Sequence, residues 1–528
     1  MSSSTGSLPS DPALLTRMVL ALQAENADLR VYADLLRLMI FGAKSEKMAA
    51  LEPAQIALDL GDLSDIATTG PAAANDDAPG SDAPQRRKRC AASRNMGALP
   101  VHLPRHEEII EPKITICPCC NRALHRIGED ISEALDIVPA LLRVIRTIRP
   151  KYACRSCEDG VTQAPARGRV MNGGMATTAL VAHVVVAKFG WHLPLYRQAQ
   201  MLAGAGIDID RGTLGGWAAR AAWWLKPLHE RLLGFIRAQP RVFCDETPLP
   251  RLDPGRGRTK VCQLWAQAID DRPWKGPAPP AVGYVFTEGR GTEELEAQLG
   301  RFEGVLQVDG YGAYKSMARR RRKSNAAPLR LAFCLAHARR KFADVVKTTG
   351  STEALAVIGT IAEIYLVESR IRGLSAEARL TARKAESAIL MSALKAQLEQ
   401  LMAEVSSKSS IGKAAAYTLG HWQGLTAFLD DGRIEVDSNI VERSIKPVCL
   451  TRKNALFAGS KRGGESWAIL ASLVNTAKLN GIDPELWLAD VLERIISGAT
   501  PINRLDTLLP WTWKAEREAL RHSAVLAA

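Results

Sequence analysis

The chain has 528 residues, 47% apolar and 24% charged, an ordinary soluble composition on a length that calls for three or more folding units. Sixty-nine Lys and Arg against fifty-six Asp and Glu leave a net charge of +13, which suits a polyanionic partner or a basic surface kept for solubility. The most apolar run, Thr178 to Phe189, is broken by His183 and Lys188 and is too short to span a bilayer. No membrane association is expected. The N-terminus lacks the basic and then apolar order of a signal peptide, so the expected location is cytoplasmic, on the nucleoid when DNA is bound. Ten cysteines in a reducing compartment read as ligands or buried thiols.

Within residues 10–47, Leu15, Leu22, Leu29 and Leu36 recur every seven positions, and Asn26 falls in the partner row with Val19, Ala33 and Ile40. That is a leucine zipper with one polar position fixing register, and it predicts a homo-oligomer, at least a dimer; an amphipathic helix packed on its own domain is the plainer alternative. Residues 48–100 turn to Ala, Asp, Gly, Pro and Ser and end near Arg86-Arg87-Lys88-Arg89, a linker with a basic cluster that contacts phosphate or is simply solvated. Over 101–165, Cys117 and Cys120 form one Cys-x-x-Cys knuckle and Cys154 and Cys157 another. Four thiolates so spaced predict a structural zinc ion, with Cys119 as a spare.

Residues 175–235 read as helical, with one helix from Pro194 to Ala205, a turn at Gly206, and a second from Arg211 to Ala222 carrying Thr213 and Arg220. This suits a helix-turn-helix that reads DNA through Arg211, Thr213 and Arg220, or a helical hairpin without DNA. From 240 to 348 the period changes to strands. Val242–Cys244 ends in Asp245 before Pro248, Val261–Ile269 and Val282–Phe286 follow, then a helix at Glu293–Leu299, and Val305–Val308 ends in Asp309. A helix over Tyr311–Arg319 and a strand over Leu329–Leu335 run into a helix from His337 to Val346. That order is ribonuclease-H-like, with the first and fourth strands side by side. Residues 349–432 are a helical insertion, 433–475 hold the second part of the core with Glu442 one turn into a helix, and 476–528 form a C-terminal helical region. The predicted fold is thus multidomain α/β: a ribonuclease-H-like catalytic domain with a helical insertion, after a coiled coil, a zinc module and a helix-turn-helix.

Two strand-end aspartates and one helical glutamate suit a pair of hard divalent cations, two Mg²⁺ or Mn²⁺, in phosphoryl transfer. Asp245 and Glu442 would each hold an ion and Asp309 would bridge the two. Asp437, Asn439 and Glu246 rank below them as supporting residues or alternative ligands. His337, Arg339 and Arg340 lie on one helix and are expected either to hold the scissile phosphate and flanking DNA or, for His337, to be structural. Lys446, Arg452, Lys453, Lys461 and Arg462, among Gly459, Gly463 and Gly464, read as a phosphate-contacting or solvated loop.

With these residues together, the chain resembles the bacterial insertion-sequence transposases of the sixty-six family over nearly its whole length. The resemblance rests on Phe41 to Lys47, the two knuckles, Asp245-Glu246-Thr247-Pro248, Leu252 to Lys260, Asp309-Gly310-Tyr311 and Ala336 to Phe342. Glu442-Arg443, Arg452-Lys453-Asn454, Phe457 to Ser460 and Leu509 to Lys514 complete it. Ala43, Leu335 and Ser438 depart from the family pattern, and all three acids are kept. The resemblance implies an Asp-Asp-Glu enzyme that binds the terminal inverted repeats of its element and catalyses magnesium-dependent cleavage and strand transfer on double-stranded DNA, at element ends and target, with companion proteins of the same element. A catalytically silent regulator descended from such an enzyme is the other reading.

Overall fold

A computed structural model describes residues 168–527 except 254 and 325–328, together with 142, 144–148, 151–153 and 161–163. Contacts separate a compact unit at Leu63–Gly168 from one that contains Arg169–Ala528. In the first, β1 (Lys151–Ala153) pairs antiparallel with β2 (Val161–Gln163), Lys151 opposite Gln163. In sequence, Cys154 and Cys157 fall between these two strands. The zinc cysteines themselves, the zipper and the linker lie outside the described residues.

The larger unit is mixed α/β. Its helices α1 (Thr178–Phe189), α2 (Leu195–Gly204) and α3 (Arg211–Arg237) precede a five-stranded sheet. The sheet comprises β3 (Arg241–Asp253), β4 (Arg258–Ile269), β5 (Ala281–Thr287), β6 (Gly304–Val308) and β7 (Leu329–Phe333), in the order β5-β4-β3-β6-β7. β4 pairs antiparallel with both β3 and β5, while β6 pairs parallel with both β3 and β7. Parallel strands need crossovers, and α4 (Thr292–Leu299) and α5 (Gly312–Lys323) supply them. The second half of β4, Leu264 to Ile269, is buried on both faces, as an apolar run in the middle of a covered sheet must be.

β3 is longer than its sequence suggests. Pro248 was expected to end it, yet pairing with β4 runs from Phe243↔Ala268 to Asp253↔Arg258. The reason lies in direction: the Pro250 carbonyl accepts from Ala458 N–H at 2.8 Å, on the side away from β4. Residues of that parity, Pro248 included, therefore remove no donor from the ladder. The edge at β5 is closed by side chains, since Tyr284 N–H donates to Ser472 Oγ at 2.7 Å and Val282 N–H to Thr476 Oγ1 at 3.1 Å.

α6 (Leu335–Thr349) follows β7 and carries a second core. On it pack α7 (Thr352–Ile371) and, beyond the link formed by α8 (Ala376–Ala382) and a π-helical turn at Arg383–Ser387, α9 (Ala388–Glu404), α10 (Ser410–Gly420) and α11 (Trp422–Leu425). The chain then returns to the sheet for α12 (Asn439–Ala455), α13 (Lys461–Leu479), α14 (Pro484–Ile496) and α15 (Pro510–Ala527). Two further readings change. The second helix of the expected helix-turn-helix continues to Arg237, because its buried row Leu214, Trp217, Ala221 runs on through Leu225, Leu228, Leu232 and Ile236. And Lys446, Arg452 and Lys453 stand on α12 and Lys461 and Arg462 on α13, so the expected loop shrinks to residues 456–460.

Candidate active site

The last parallel pair between β3 and β6 is Phe243↔Gln307. Two residues further on, each strand presents an acid, Asp245 on β3 and Asp309 just past the end of β6. The carboxyl ends of strands at a change of sheet direction are where α/β folds place their ligands. Asp309 caps its own turn, its Oδ1 accepting Tyr311 N–H at 2.8 Å. Between them Gly310 has φ +96°, and a Cβ there would meet His421 Nε2 at 2.8 Å, so only glycine fits the turn. Asp245 Oδ1 accepts Glu246 N–H at 2.8 Å. Loss of water around Asp245, then the charges of Glu246, Asp309 and Glu442, push its carboxyl up to about 7 against that hydrogen bond. The third acid thus acts on the first.

Glu442 sits in the first turn of α12, where a helix favours negative charge. Its carboxylate is 3.6 Å from His337 Nδ1 and 3.7 Å from Arg340 Nη2, beyond hydrogen-bond length. His337 Nδ1 and Glu442 Oε1 are both buried without a hydrogen-bond partner. Burial holds the His337 imidazole below its usual range. Cys334, at the N-cap of α6, accepts Ser438 N–H on Sγ at 3.2 Å, and ligand atoms of Cys334, His337 and Glu442 lie within 4.8 Å of one another. Cys334 was missed as a site neighbour, although the spacing Cys334-x-x-His337 was there to read.

The acids ranked lower are already engaged. Glu246 pairs with Arg290 Nε at 2.7 Å and accepts Tyr314 O–H at 3.1 Å. Asp437 accepts both the backbone N–H and the side-chain amide of Asn439, at 3.0 and 2.9 Å, and burial pushes it up to about 6. Beside Asp309 opens a cleft of about 300 Å³ lined by Tyr311, His337, Arg340, Lys341 and Tyr417. Tyr417 comes from the insertion and donates its O–H to the Asp309 carbonyl at 2.9 Å, with Lys341 Nζ 4.3 Å above its ring. Nothing local in the sequence points to Tyr417, because the contact exists only once the insertion folds back.

The basic residues separate into free and occupied. Arg211, Thr213 and Arg220 are exposed on α3, Arg220 lying over the Trp223 ring at 5.3 Å. Arg340, Lys453, Lys461 and Arg462 are exposed, and Arg339 and Lys446 half-buried. Arg452 is tied to β3 by hydrogen bonds to Thr247 Oγ1 at 3.0 Å and to the Pro248 carbonyl. Among the described residues the cysteines Cys244, Cys262, Cys334 and Cys449 are free thiols, and no helix is long and apolar enough to cross a membrane.

A family model described as "Transposase IS66 family" matches residues 173–466, the whole stretch that builds the sheet, the insertion and the three acids. The chain belongs to the IS66 transposase family. Further IS66 models match on either side: the zinc-finger binding domain over 115–158, the C-terminal element over 472–511, and "Transposase C of IS166 homeodomain" over 28–107. The uncharacterized protein y4jD of Sinorhizobium fredii is 64% identical over 510 residues, 97% of this chain and 98% of its own length. The uncharacterized protein y4qI of the same organism is 42% identical over 435 residues, 82% of this chain and 78% of its own.

Proposed function

We propose that this IS66-family chain cleaves and joins DNA at the ends of its element with an Asp-Asp-Glu site on a ribonuclease-H-like core. The observation that carries the reading is the register of β3 and β6, which sets Asp245 and Asp309 side by side, with Glu442 near enough to raise the pKa of Asp245. The strand order β5-β4-β3-β6-β7, three antiparallel and two parallel, supports the ribonuclease-H-like core.

The donors fit divalent ions of the magnesium class. Asp245, Asp309 and Glu442 offer oxygen alone, Asp245 is held from full ionisation by burial and then by its acidic neighbours, and Glu442 Oε1 is buried with no partner. Such ions, when bound, supply the positive charge that activates an attacking oxygen and stabilises a leaving one. The protein's own groups do the rest. Asp309 is held at its carboxylate by its Asx turn and at its backbone carbonyl by Tyr417, which fixes its place at the end of β6. His337 and Arg340 flank Glu442, Arg340 placing a permanent cation where a phosphate would lie. Arg290 neutralises Glu246 and keeps that acid out of the metal set.

Around this centre we assign a structural zinc ion to Cys117, Cys120, Cys154 and Cys157, DNA contacts to the exposed cations named above, and self-association to the N-terminal zipper, with companion proteins of the element as further partners. The test is cleavage and strand transfer on labelled element-end DNA with magnesium, comparing the wild type with Asp309→Asn. Products from the wild type alone, with DNA retained by both, are expected. A wild type that binds the end and never cuts it, even with companion proteins added, makes the chain a DNA-binding regulator instead.

A further inference from the structure

The turn between α12 and α13 plays no part in the site described above, and its construction is unusual. Leu456 has φ +65° and ψ −49°, and Phe457 N–H donates across it to the Ala455 carbonyl at 2.8 Å. That is the rare γ-turn of positive φ, strained for any residue with a side chain. Leucine stands there all the same, 65% exposed, with Phe457 38% exposed beside it. The strained tip is also rigidly mounted. Ala458 N–H donates to the Pro250 carbonyl at 2.8 Å, Leu252 N–H donates to the Ala458 carbonyl at 2.9 Å, and Ser460 Oγ caps the next helix at Gly463 N–H at 3.1 Å.

The charge around the tip is predominantly positive, the exposed Glu465 on α13 being the nearest carboxylate in sequence. Residues 443–464 contain Arg443, Lys446, Arg452, Lys453, Lys461 and Arg462 and no carboxylate. The nearby Glu288 is neutralised by Lys260 at 2.8 Å and Arg251 at 3.6 Å. Lys453, Lys461 and Arg462 are exposed on both sides of the two apolar side chains, and the start of α13 adds the positive end of a helix. A small apolar tip ringed by cations does not match a second protein's apolar patch, which would leave the ring unpaired. It matches a polyanion with an apolar interior.

We infer that Leu456 and Phe457 form a wedge that enters the base stack of duplex DNA gripped by Lys453, Lys461 and Arg462, and kinks it. Apolar side chains driven between base steps unstack them, and the bent duplex then meets more protein surface. The hydrogen bonds that mount the tip on β3 hold it in place with Leu456 and Phe457 exposed before DNA arrives, so less ordering is left to occur on binding. The inference rests on the reading of the chain as a DNA-acting transposase.

The test uses the full chain and a duplex carrying the terminal repeat that flanks the element, with 2-aminopurine at successive steps. Wild type is expected to raise the fluorescence at one or two adjacent steps. A Leu456→Gly, Phe457→Ser variant is expected to lose that rise and to keep the salt dependence of binding, because the cations remain. Leu456→Gly alone accepts positive φ without strain, so it is expected to melt a few degrees above wild type while weakening the signal, which a merely structural role would not produce. A fluorescence rise that survives in the double variant overturns the wedge, as does wild type that binds and cuts without unstacking. A double variant that turns from oligomer to monomer makes the tip a contact between copies and overturns it too. A wild type that fails to bind the duplex at low salt removes the DNA-acting reading itself.

Discussion

Gln307 and Glu435 bond each other twice, Glu435 N–H to Gln307 Oε1 at 3.0 Å and Gln307 Nε2 to the Glu435 carbonyl at 2.9 Å. Gln307 is 1% exposed and sits two residues before Asp309, while Glu435 leads into the helix of Glu442. One side-chain amide thus imitates a strand and fixes the segment of the third acid to the strand of the second. Gln307→Leu leaves a donor and an acceptor buried without partners, at about 1–3 kcal/mol each. Thermal melting is expected to show that loss, and magnesium-dependent cleavage to fall further than the stability loss explains. Cleavage tracking the folded fraction alone would rule out the alignment role.

Arg383 is fully buried in the π-helical turn of the insertion. It forks onto Glu368 at 2.7 Å through both Nε and Nη2, and its Nη1 reaches the carbonyls of Phe428 at 3.1 Å and Ile434 at 2.8 Å. Arg383→Met leaves the buried Glu368 with Arg379 alone, at 3.4 Å, and takes the donor from the Phe428 and Ile434 carbonyls, and it is expected to cost about 3–5 kcal/mol. Glu368→Leu added to it is expected to recover part of the loss, since the under-paired carboxylate goes and Arg379 keeps Glu435 at 2.8 Å. Denaturant unfolding of both singles and the double gives the coupling, and additive losses would count against the network.

Burial holds the His229 imidazole down to about 4 from 6.5, and its Nε2–H donates to the Tyr284 carbonyl at 3.1 Å. The folded state therefore keeps this ring neutral where the unfolded chain would protonate it. Its contribution is intact above pH 6.5 and is lost as pH falls from 6.5 to about 4, for a total of about 3 kcal/mol. Urea unfolding across that window is expected to show the loss, and His229→Gln to flatten it. Parallel curves for the two proteins would remove His229 as the cause.

For Asp245 the sign is reversed. With its pKa raised from 3.8 to about 7, Asp245 costs the fold stability as pH rises through that interval, and a divalent ion bound there would displace the proton. Magnesium affinity is accordingly expected to increase from pH 6 to 8, with proton release seen as a dependence of the binding heat on buffer ionisation. Asp245→Asn is expected to bind more weakly and without proton release. Release that persists in the variant would place the proton elsewhere.

Much of this was legible along the chain. Short apolar runs ending in Asp245 and Asp309 marked two strands, and an acid one turn into a capped segment marked the helix of Glu442, because each depends on local period and turn chemistry. Pro248 misled, since a missing N–H matters only on the side where a neighbour pairs. Arg452 reads in the sequence as a phosphate contact, and its bonds to Thr247 and the Pro248 carbonyl could not be read there. The clasp of Gln307 on Glu435 and the reach of Tyr417 to Asp309 join residues more than a hundred positions apart, and no period records such contacts.

The insertion separates the acids in time as well as in sequence. Asp245 and Asp309 leave the ribosome long before Glu442, which follows Asp245 by 197 positions. At about 5–20 residues per second, roughly 10–40 s of synthesis lie between the first acid and the third. A polypeptide cut short anywhere within the insertion holds Asp245 and Asp309 and lacks Glu442, so an interrupted message or a clipped product is released without the full set of acids proposed for the site.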